Sequence, residues 1–477
     1  MLRTVPSVLT AIGLLTAGAA AGAGEWTRFR GPNGAGVAES GALPLEFGPD
    51  ENLAWATPVP FGRSSPVLGH GLVYLTAVDG EDLATVALEQ SSGALRWRRA
   101  VPRERVDEMH AATDSSTPSP VTDGDSVYSF FQESGLVSYT ASGEERWRRA
   151  LGPFRNFYGM AASPVLAGDT LLLVCDQAQG SFLLALDKDT GDVRWRRDRP
   201  GRLESFTTPV LYPGPEAPRL VLVVGSVAVD AYDVASGELT WTLSGVGAAP
   251  VASPVVVGDR LYLTAPDQSP EPPPPFAELT AKHDADGNGT LSRSEVTGIW
   301  VKDHFGWVDV DADGVISAMD WDVLHAGMQA EGWGLFGIRL PEGEGEPQIL
   351  WNHRKNVAYI ATPVVVDGVL FTIDDDILTS LDAATGEILK RGRLGAGSGK
   401  VYASPVAADG KLFVATLEGA VAVLEAVPEW RALAVNDLGE PIHASPAISD
   451  GHIYVRTESA LMSFGLQRAR QPDDEEE

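Results

Sequence analysis

A three-residue phrase recurs eight times along the chain: Ser or Thr, then Pro, then a small apolar residue. It stands at Ser65-Pro66-Val67, Ser119-Pro120-Val121, Ser163-Pro164-Val165, Thr208-Pro209-Val210, Ser253-Pro254-Val255, Thr362-Pro363-Val364, Ser404-Pro405-Val406 and Ser445-Pro446-Ala447. Most successive phrases lie 41 to 45 residues apart; the first gap is 54, and the gap after Ser253 is 109, which exposes an insertion of roughly 65 residues. A period of this size means a repeat architecture, because one such unit cannot bury its apolar face alone and must stack on its neighbours.

Each unit continues alike. A Gly/Asp turn follows the phrase, as at Gly168-Asp169, Gly258-Asp259, Asp367-Gly368 and Asp409-Gly410, and suits tight hairpins because Gly and Asp tolerate positive φ. A β-branched and aromatic run comes next, such as Leu261-Tyr262-Leu263 or Leu412-Phe413-Val414. A third strand ends near an acidic residue (Asp187, Asp233, Asp382), and a Gly turn then leads to a fourth strand carrying Trp97, Trp147, Trp195 or Trp241. Four short antiparallel strands repeated radially make an eight-bladed, all-β propeller. The Pro fits an innermost strand whose channel edge needs no ladder donor. The Trp residues read as wedges between blades. The eighth unit lacks a final Trp strand, and Leu53-Ala54-Trp55 supplies it from the N-terminal side, which closes the ring and removes an exposed edge.

The unit resembles the quinoprotein-type propeller repeat, whose docking motif has the form Ala-x-Asp-x-x-x-Gly-x-x-x-Trp. Ala185, Asp187, Gly191 and Trp195 match it residue by residue; blades four and six match in part, and seven and eight are degraded. The resemblance covers about 60–410 well. Trp26-Thr27-Arg28-Phe29-Arg30-Gly31-Pro32 also resembles the start of exported quinoprotein-like propellers.

The insertion carries metal chemistry. Behind the polyproline stretch Glu271–Pro275 come two loops with the EF-hand pattern. In the first, Asp284, Asp286 and Asn288 occupy positions 1, 3 and 5, Gly289 sits at 6, Thr290 offers its carbonyl at 7, and Glu295 at 12 can chelate with both oxygens. Calcium wants six to eight hard oxygens in such a flexible cage. In the second, Asp309, Asp311 and Asp313 precede Gly314 and Val315, and position 12 is Asp320 instead of Glu. The shorter side chain predicts weaker calcium binding there, or greater tolerance of Mg2+. Leu291 at position 8 is expected to pair with the partner loop. Only residues 296–308 separate the loops, about 20 Å if helical, and Gly298 and Gly306 predict a bent or shortened helix with Val296, Ile299, Trp300 and Phe305 buried.

These readings divide the chain into a secretory signal peptide at 1–23, blades at 24–266, the EF-hand pair at 267–331, remaining blades at 332–467 and an acidic tail at 468–477. Arg3 and the apolar run Val8–Ala21 have signal-peptide form, and small residues at 19–23 fit cleavage. The expected location is secreted or periplasmic. No cysteine lies near the cleavage site, so a lipid anchor is not expected, and no transmembrane segment is expected. The sole cysteine, Cys175, lies in an aliphatic run and reads as a buried hydrophobe. The formal charge of −29 argues against nucleic acid and for cations.

His residues show no metal-ligand spacing. Three blades end in Trp-Arg-Arg, at Trp97, Trp147 and Trp195, which reads as a charged outer edge. Residues just before each phrase enter one channel mouth, where Arg63, Tyr158, Lys400, Tyr402 and His443 are candidates to ring a pocket. The expected function is a calcium-binding, monomeric binding or scaffolding protein of the cell envelope with a protein or envelope partner. The resemblance implies a scaffold of the outer-membrane β-barrel assembly type, or alternatively an alcohol or sugar dehydrogenase using pyrroloquinoline quinone. Such enzymes bear adjacent cysteines, and one cysteine cannot supply them. Binding of that quinone, and enzyme activity, are therefore not expected.

Overall fold

The structure is a computed structural model describing residues 26–107, 109–247, 249–265, 273–309, 313–328, 332–341, 343, 345–355, 357–395 and 399–466. Eight four-stranded antiparallel sheets form the ring. Blade 3 is typical: Val165–Ala167 lies innermost, then Thr170–Cys175, Phe182–Asp187 and outermost Val193–Asp198. Its second strand is buried at every residue, because neighbouring blades cover both faces, and its outer strand is mostly exposed. Cys175 is fully buried there, and burial holds its thiol well above the ordinary range. Leu53–Pro58 pairs with Ala460–Gly465 and closes blade 8 with Trp55, as the repeat count required. The turns at Asp367-Gly368 and Asp409-Gly410 have positive φ at both residues, the hairpin geometry their composition favours.

The Ser or Thr of every phrase binds blade to blade. Ser65 N–H donates to Ser119 Oγ, Ser119 to Ser163, Ser163 to Thr208, Thr208 to Ser253, Ser253 to Thr362, Thr362 to Ser404, Ser404 to Ser445, and Ser445 back to Ser65 Oγ. All eight bonds measure 2.9 to 3.0 Å and are buried, so they form one closed belt around the channel.

The docking motif explains itself in atoms. Asp187 Oδ1 accepts from the N–H groups of Asp189 and Thr190 and folds the turn. Gly191, at φ 75°, leaves room for the preceding blade's indole: a Cβ there would sit 2.7 Å from the Trp147 ring. The indole N–H of Trp147 donates to the Lys188 carbonyl at 2.9 Å. The same bond joins Trp55 to Gln90, Trp97 to Ala141, Trp195 to Val234 and Trp351 to Ala383. The second arginine of each Trp-Arg-Arg completes the clamp: Arg99, Arg149 and Arg197 donate through Nε to the carbonyls of Gly143, Gly191 and Gly237. These arginines are thus interface residues as well as edge charges.

The segment from Trp26 to Phe47 straps across the channel at one end. Backbone bonds tie it to Leu68 and Thr122 on blades 1 and 2 and, as a two-bond exchange with Ala407, to blade 7. Arg30, wholly buried, donates to the carbonyls of Gly34, Ala35, Thr362, Pro363 and Pro405. Asn33 exchanges two bonds with Leu211 of blade 4, and Arg28 donates to Pro209. Burial lowers both arginines to about 9.

Blade 5 is assembled from Val255–Val257, Arg260–Ala265, Gly334–Arg339 and Gln348–His353, so the inserted residues leave the sheet after its second strand.

Candidate calcium loops and channel mouth

Helices α1 (Phe276–His283), α2 (Phe305–Val308) and α3 (Ala318–Met328) frame the insert. Its own apolar core joins Leu279, Leu291, Val296, Val301, Phe305, Val308, Ile316 and Trp321. Val296 and Phe305 are buried and Ile299 packs partly against them, but Trp300 is 42% exposed. The expectation that Trp300 is buried fails because a 3-10 turn at Trp300–Lys302 interrupts the inter-loop segment and turns that ring outward.

Leu291 and Ile316, each at position 8 of its loop, pair as neighbours in a two-stranded ladder, with Ser292 opposite Val315. Gly289 and Gly314 at position 6 have φ of 81° and 92°. In the first loop one ligand oxygen from each of Asp284, Asp286 and Glu295 falls within 4.8 Å of the others. Backbone donors hold these carboxylates: Gly289 N–H reaches Asp284 Oδ2, Asn288 N–H reaches Asp286 Oδ1, and Ser292 and Ala285 N–H reach the two oxygens of Glu295. The bonds from Ser292 pull the Glu295 carboxyl down to about 2. Asn288 Oδ1 accepts from Thr290 N–H, which fixes the bend at positions 5 to 7.

The second loop repeats much of the pattern. Asp309 accepts from Asp313 and Gly314, Val315 N–H donates to Asp313, and Ser317 N–H donates to Asp320 Oδ2 at 2.8 Å. Asp320 is wholly buried and Asp309 nearly so; burial raises the Asp309 carboxyl. Asp311 lies outside the described residues, as do the signal-peptide stretch, the acidic tail and Glu271-Pro272. The donor set of the first loop, hard carboxylate oxygens converging on one point, fits a calcium ion.

At the channel mouth opposite the strap lies a cavity of about 170 Å³. Its wall takes the residue two before each phrase from every blade: Arg63, Thr117, Ala161, Phe206, Val251, Ile360, Tyr402 and His443. Tyr158 and Tyr359 add two phenols. Four of the five sequence candidates are therefore present. Lys400 is not in the wall; it stands four residues before its phrase and is exposed. The signal that finds the missed residues is the constant offset of two. Arg63 sits 3.8 Å from Asp114, and His443 lies 3.9 Å from Glu458. Burial, then the charge of Arg63, lowers the His443 imidazole. Burial and the neighbouring Tyr158 raise the Tyr359 phenol.

The insert reaches toward this mouth. A groove of about 560 Å³ is lined by Asp303, His304 and Asp309 from the insert and by His110, Phe157 and Glu204 from the propeller. The His304 and Phe157 rings lie 6.4 Å apart. The insert is thus not held away from the ring by its polyproline stretch: the inter-loop segment carries His304 onto the connector between blades 2 and 3.

The sequence model described as outer membrane protein assembly factor BamB, of the PQQ-repeat type, matches residues 53–197, 132–391 and 374–467. The chain belongs to this family. Among solved structures, BamB from Moraxella catarrhalis is 15% identical, with 88% of this chain and 100% of that one covered at a TM-score of 0.51. A europium-containing methanol dehydrogenase is 10% identical, covering 92% and 91%, with a TM-score of 0.57. The quinohemoprotein alcohol dehydrogenase from Comamonas testosteroni is 11% identical, covering 94% and 82%, with a TM-score of 0.57. These likenesses establish the shared propeller fold. A search of curated proteins finds no match. Among the described residues no helix is long and apolar enough to cross a membrane.

Proposed function

We propose that this BamB-family propeller is an exported, calcium-binding protein that serves as a binding or scaffolding component of the cell envelope. The observation that carries the calcium assignment is the convergence of Asp284, Asp286 and Glu295, supported by the Leu291–Ile316 ladder that pairs the two loops. Asp284, Asp286, Asn288, Thr290 and Glu295 would hold the first ion; Asp309, Asp311, Asp313, Val315 and Asp320 would hold the second. Family membership supports the scaffold role, with a protein partner in the envelope. The strap supports it too, since it spans the channel at one end and leaves one mouth open.

Isothermal titration tests the calcium assignment. Two binding events are expected, the weaker belonging to the loop that ends in Asp320. Glu295→Gln should remove the tighter one, and Asp320→Glu should strengthen the weaker by lengthening its reach. Equal calcium affinities with equal magnesium rejection in the two loops would overturn the ranking.

The dehydrogenase reading is favoured by the mouth cavity, whose tyrosines could stack on a planar ring. Its donors do not fit a calcium-held quinone: among the described residues the wall contains no Asp or Glu, and the chain has one cysteine, in the interior of blade 3. Incubation with pyrroloquinoline quinone and calcium should therefore give neither bound-cofactor absorbance nor dye reduction with alcohols. Turnover would replace the scaffold reading with the enzymatic one.

A further inference from the structure

Two features of the upper face meet at one short connector. On its outer side, Phe157 packs its ring 6.4 Å from His304 of the insert, and His304 immediately precedes α2, whose last turn ends on Asp309. On its inner side, Tyr158 lines the mouth cavity and meets Phe206 edge-on at 5.4 Å. The two residues are adjacent, and their own rings meet edge-on at 4.9 Å.

The mouth wall is uneven in a way that gives Tyr158 its position. Blades 2 and 3 contribute the small residues Thr117 and Ala161, whereas blades 4 and 7 contribute Phe206 and Tyr402. Tyr158, from the connector beside the small residues, reaches Phe206 of blade 4 and the Tyr359 phenol. The ends of the connector are fixed, since the buried Asn156 donates to the Asp176 carbonyl and accepts from Gly159 N–H, while between them Phe157 N–H donates to Glu204 at 2.7 Å, the Phe157 carbonyl accepts from His110 and the Tyr158 carbonyl accepts from Thr113. Gly159, at φ 80°, follows directly and lets the backbone turn there. Phe157 and Tyr158 are only partly buried between the buried Asn156 and Gly159, so these two side chains have the most room to move in the connector.

We infer that calcium binding at the insert is coupled to the mouth cavity through residues 156–159, with His304 against Phe157 as the contact and Tyr158 as the side chain that opens or narrows the mouth. This rests on the calcium reading above. An ion in the first loop would order the insert through the Leu291–Ile316 ladder that joins the two loops, and with it α2 and His304. The ordered insert then holds Phe157 in place and keeps Tyr158 over the cavity. Coupling of this kind needs an element with two arrangements that both sites bias, and we assign that part to the Phe157 and Tyr158 side chains.

Hydrogen exchange of the full protein, with calcium or with chelator, tests the inference, alongside calcium titration of the same preparation. Calcium should slow exchange at 156–160 by about fivefold or more. His304→Ala, which removes no proposed calcium ligand, should keep the titration heat and lose the slowing; Phe157→Leu should weaken it. Calcium heat without slowing at 156–160 overturns the coupling while leaving the calcium sites standing. Slowing that persists in His304→Ala overturns the proposed contact. Absence of any calcium heat removes the calcium reading and this inference with it.

Discussion

The interfaces from blade 8 through blade 4 and those from blade 6 through blade 8 solve one packing problem in two ways. From blade 8 round to blade 4, each interface carries a Trp whose indole lies on a glycine and donates to a turn carbonyl of the next blade. Between blades 6, 7 and 8 that clamp is missing. There the strap contributes instead: Arg30 reaches Thr362, Pro363 and Pro405, Leu43 N–H donates to Asp409, and Phe47 N–H donates to Asn436. Trp26, Leu43 and Phe47 also join the apolar cluster of blades 7, 8 and 1. Repeat docking is local and can be copied from unit to unit, whereas the strap acts once, from a distance in sequence. The difference teaches that motif decay in blades 7 and 8 does not mean a loose ring.

The largest expected effect lies in the clamped half. Arg199, wholly buried between blades 3 and 4, pairs with Asp176 at 2.7 Å and Asp230 at 3.0 Å. Arg199→Met strands Asp176 and leaves Asp230 to Arg202 alone, and should cost about 3–5 kcal/mol, read from denaturant unfolding. The same site gives a pH signature. Burial acts to raise the Asp230 carboxyl, but Arg202 and Arg199 outweigh it and hold the group below its usual range. Its contribution is therefore complete above the unfolded value of about 3.9 and is lost as pH falls through the lower folded value. Blade-resolved exchange in acid should show blades 3 and 4 opening only in that low window, and opening at higher pH in Arg199→Met. Next in size is the strap. Arg30→Met removes five donated bonds and should cost about 2–3 kcal/mol, with faster exchange in blades 6 and 7 and little change in blade 2. Uniform loosening around the ring would refute the division between clamp and strap.

What the sequence made legible follows this division. The ring was legible because eight copies of one phrase leave few architectures open, and Trp55 as closing residue followed from counting strands. The Ser and Thr hydroxyls of the belt stand in the same phrase, but each accepts from the neighbouring blade's backbone, which no local pattern names. The strap left no such trace. Arg28, Arg30 and Asn33 bind backbone carbonyls and amides, which every sequence provides, so nothing in the chain names their partners. The loop ligands could be read at fixed offsets, because coordination demands particular atoms at particular spacings. The reach of His304 to Phe157 could not, since it depends on how the insert leaves blade 5. The mouth was half legible: its residues hold a constant place before each phrase, but side chains from Ala to Tyr at that place conceal the rule.

The smallest effect isolates the clamp's hydrogen bond. Trp241 of blade 4 follows Ala231, Asp233 and Gly237 at the docking spacing, so blade 4 matches that motif in full and the expectation of a partial match is corrected. Blade 5, however, replaces the receiving turn with Leu340-Pro341 and a longer connection, because its third strand begins again after the insertion. The Trp241 indole is buried and its N–H has no partner among the described residues, whereas the equally buried Trp147 donates to Lys188. Phe keeps most of the ring and removes the donor. Trp147→Phe should then cost about 1 kcal/mol more than Trp241→Phe, since only the first loses a bond and leaves a carbonyl unmet. Paired melting curves of the two variants measure the difference. Equal losses would mean that the clamp works through ring packing alone, and that the interface between blades 4 and 5 is as well made as its neighbours.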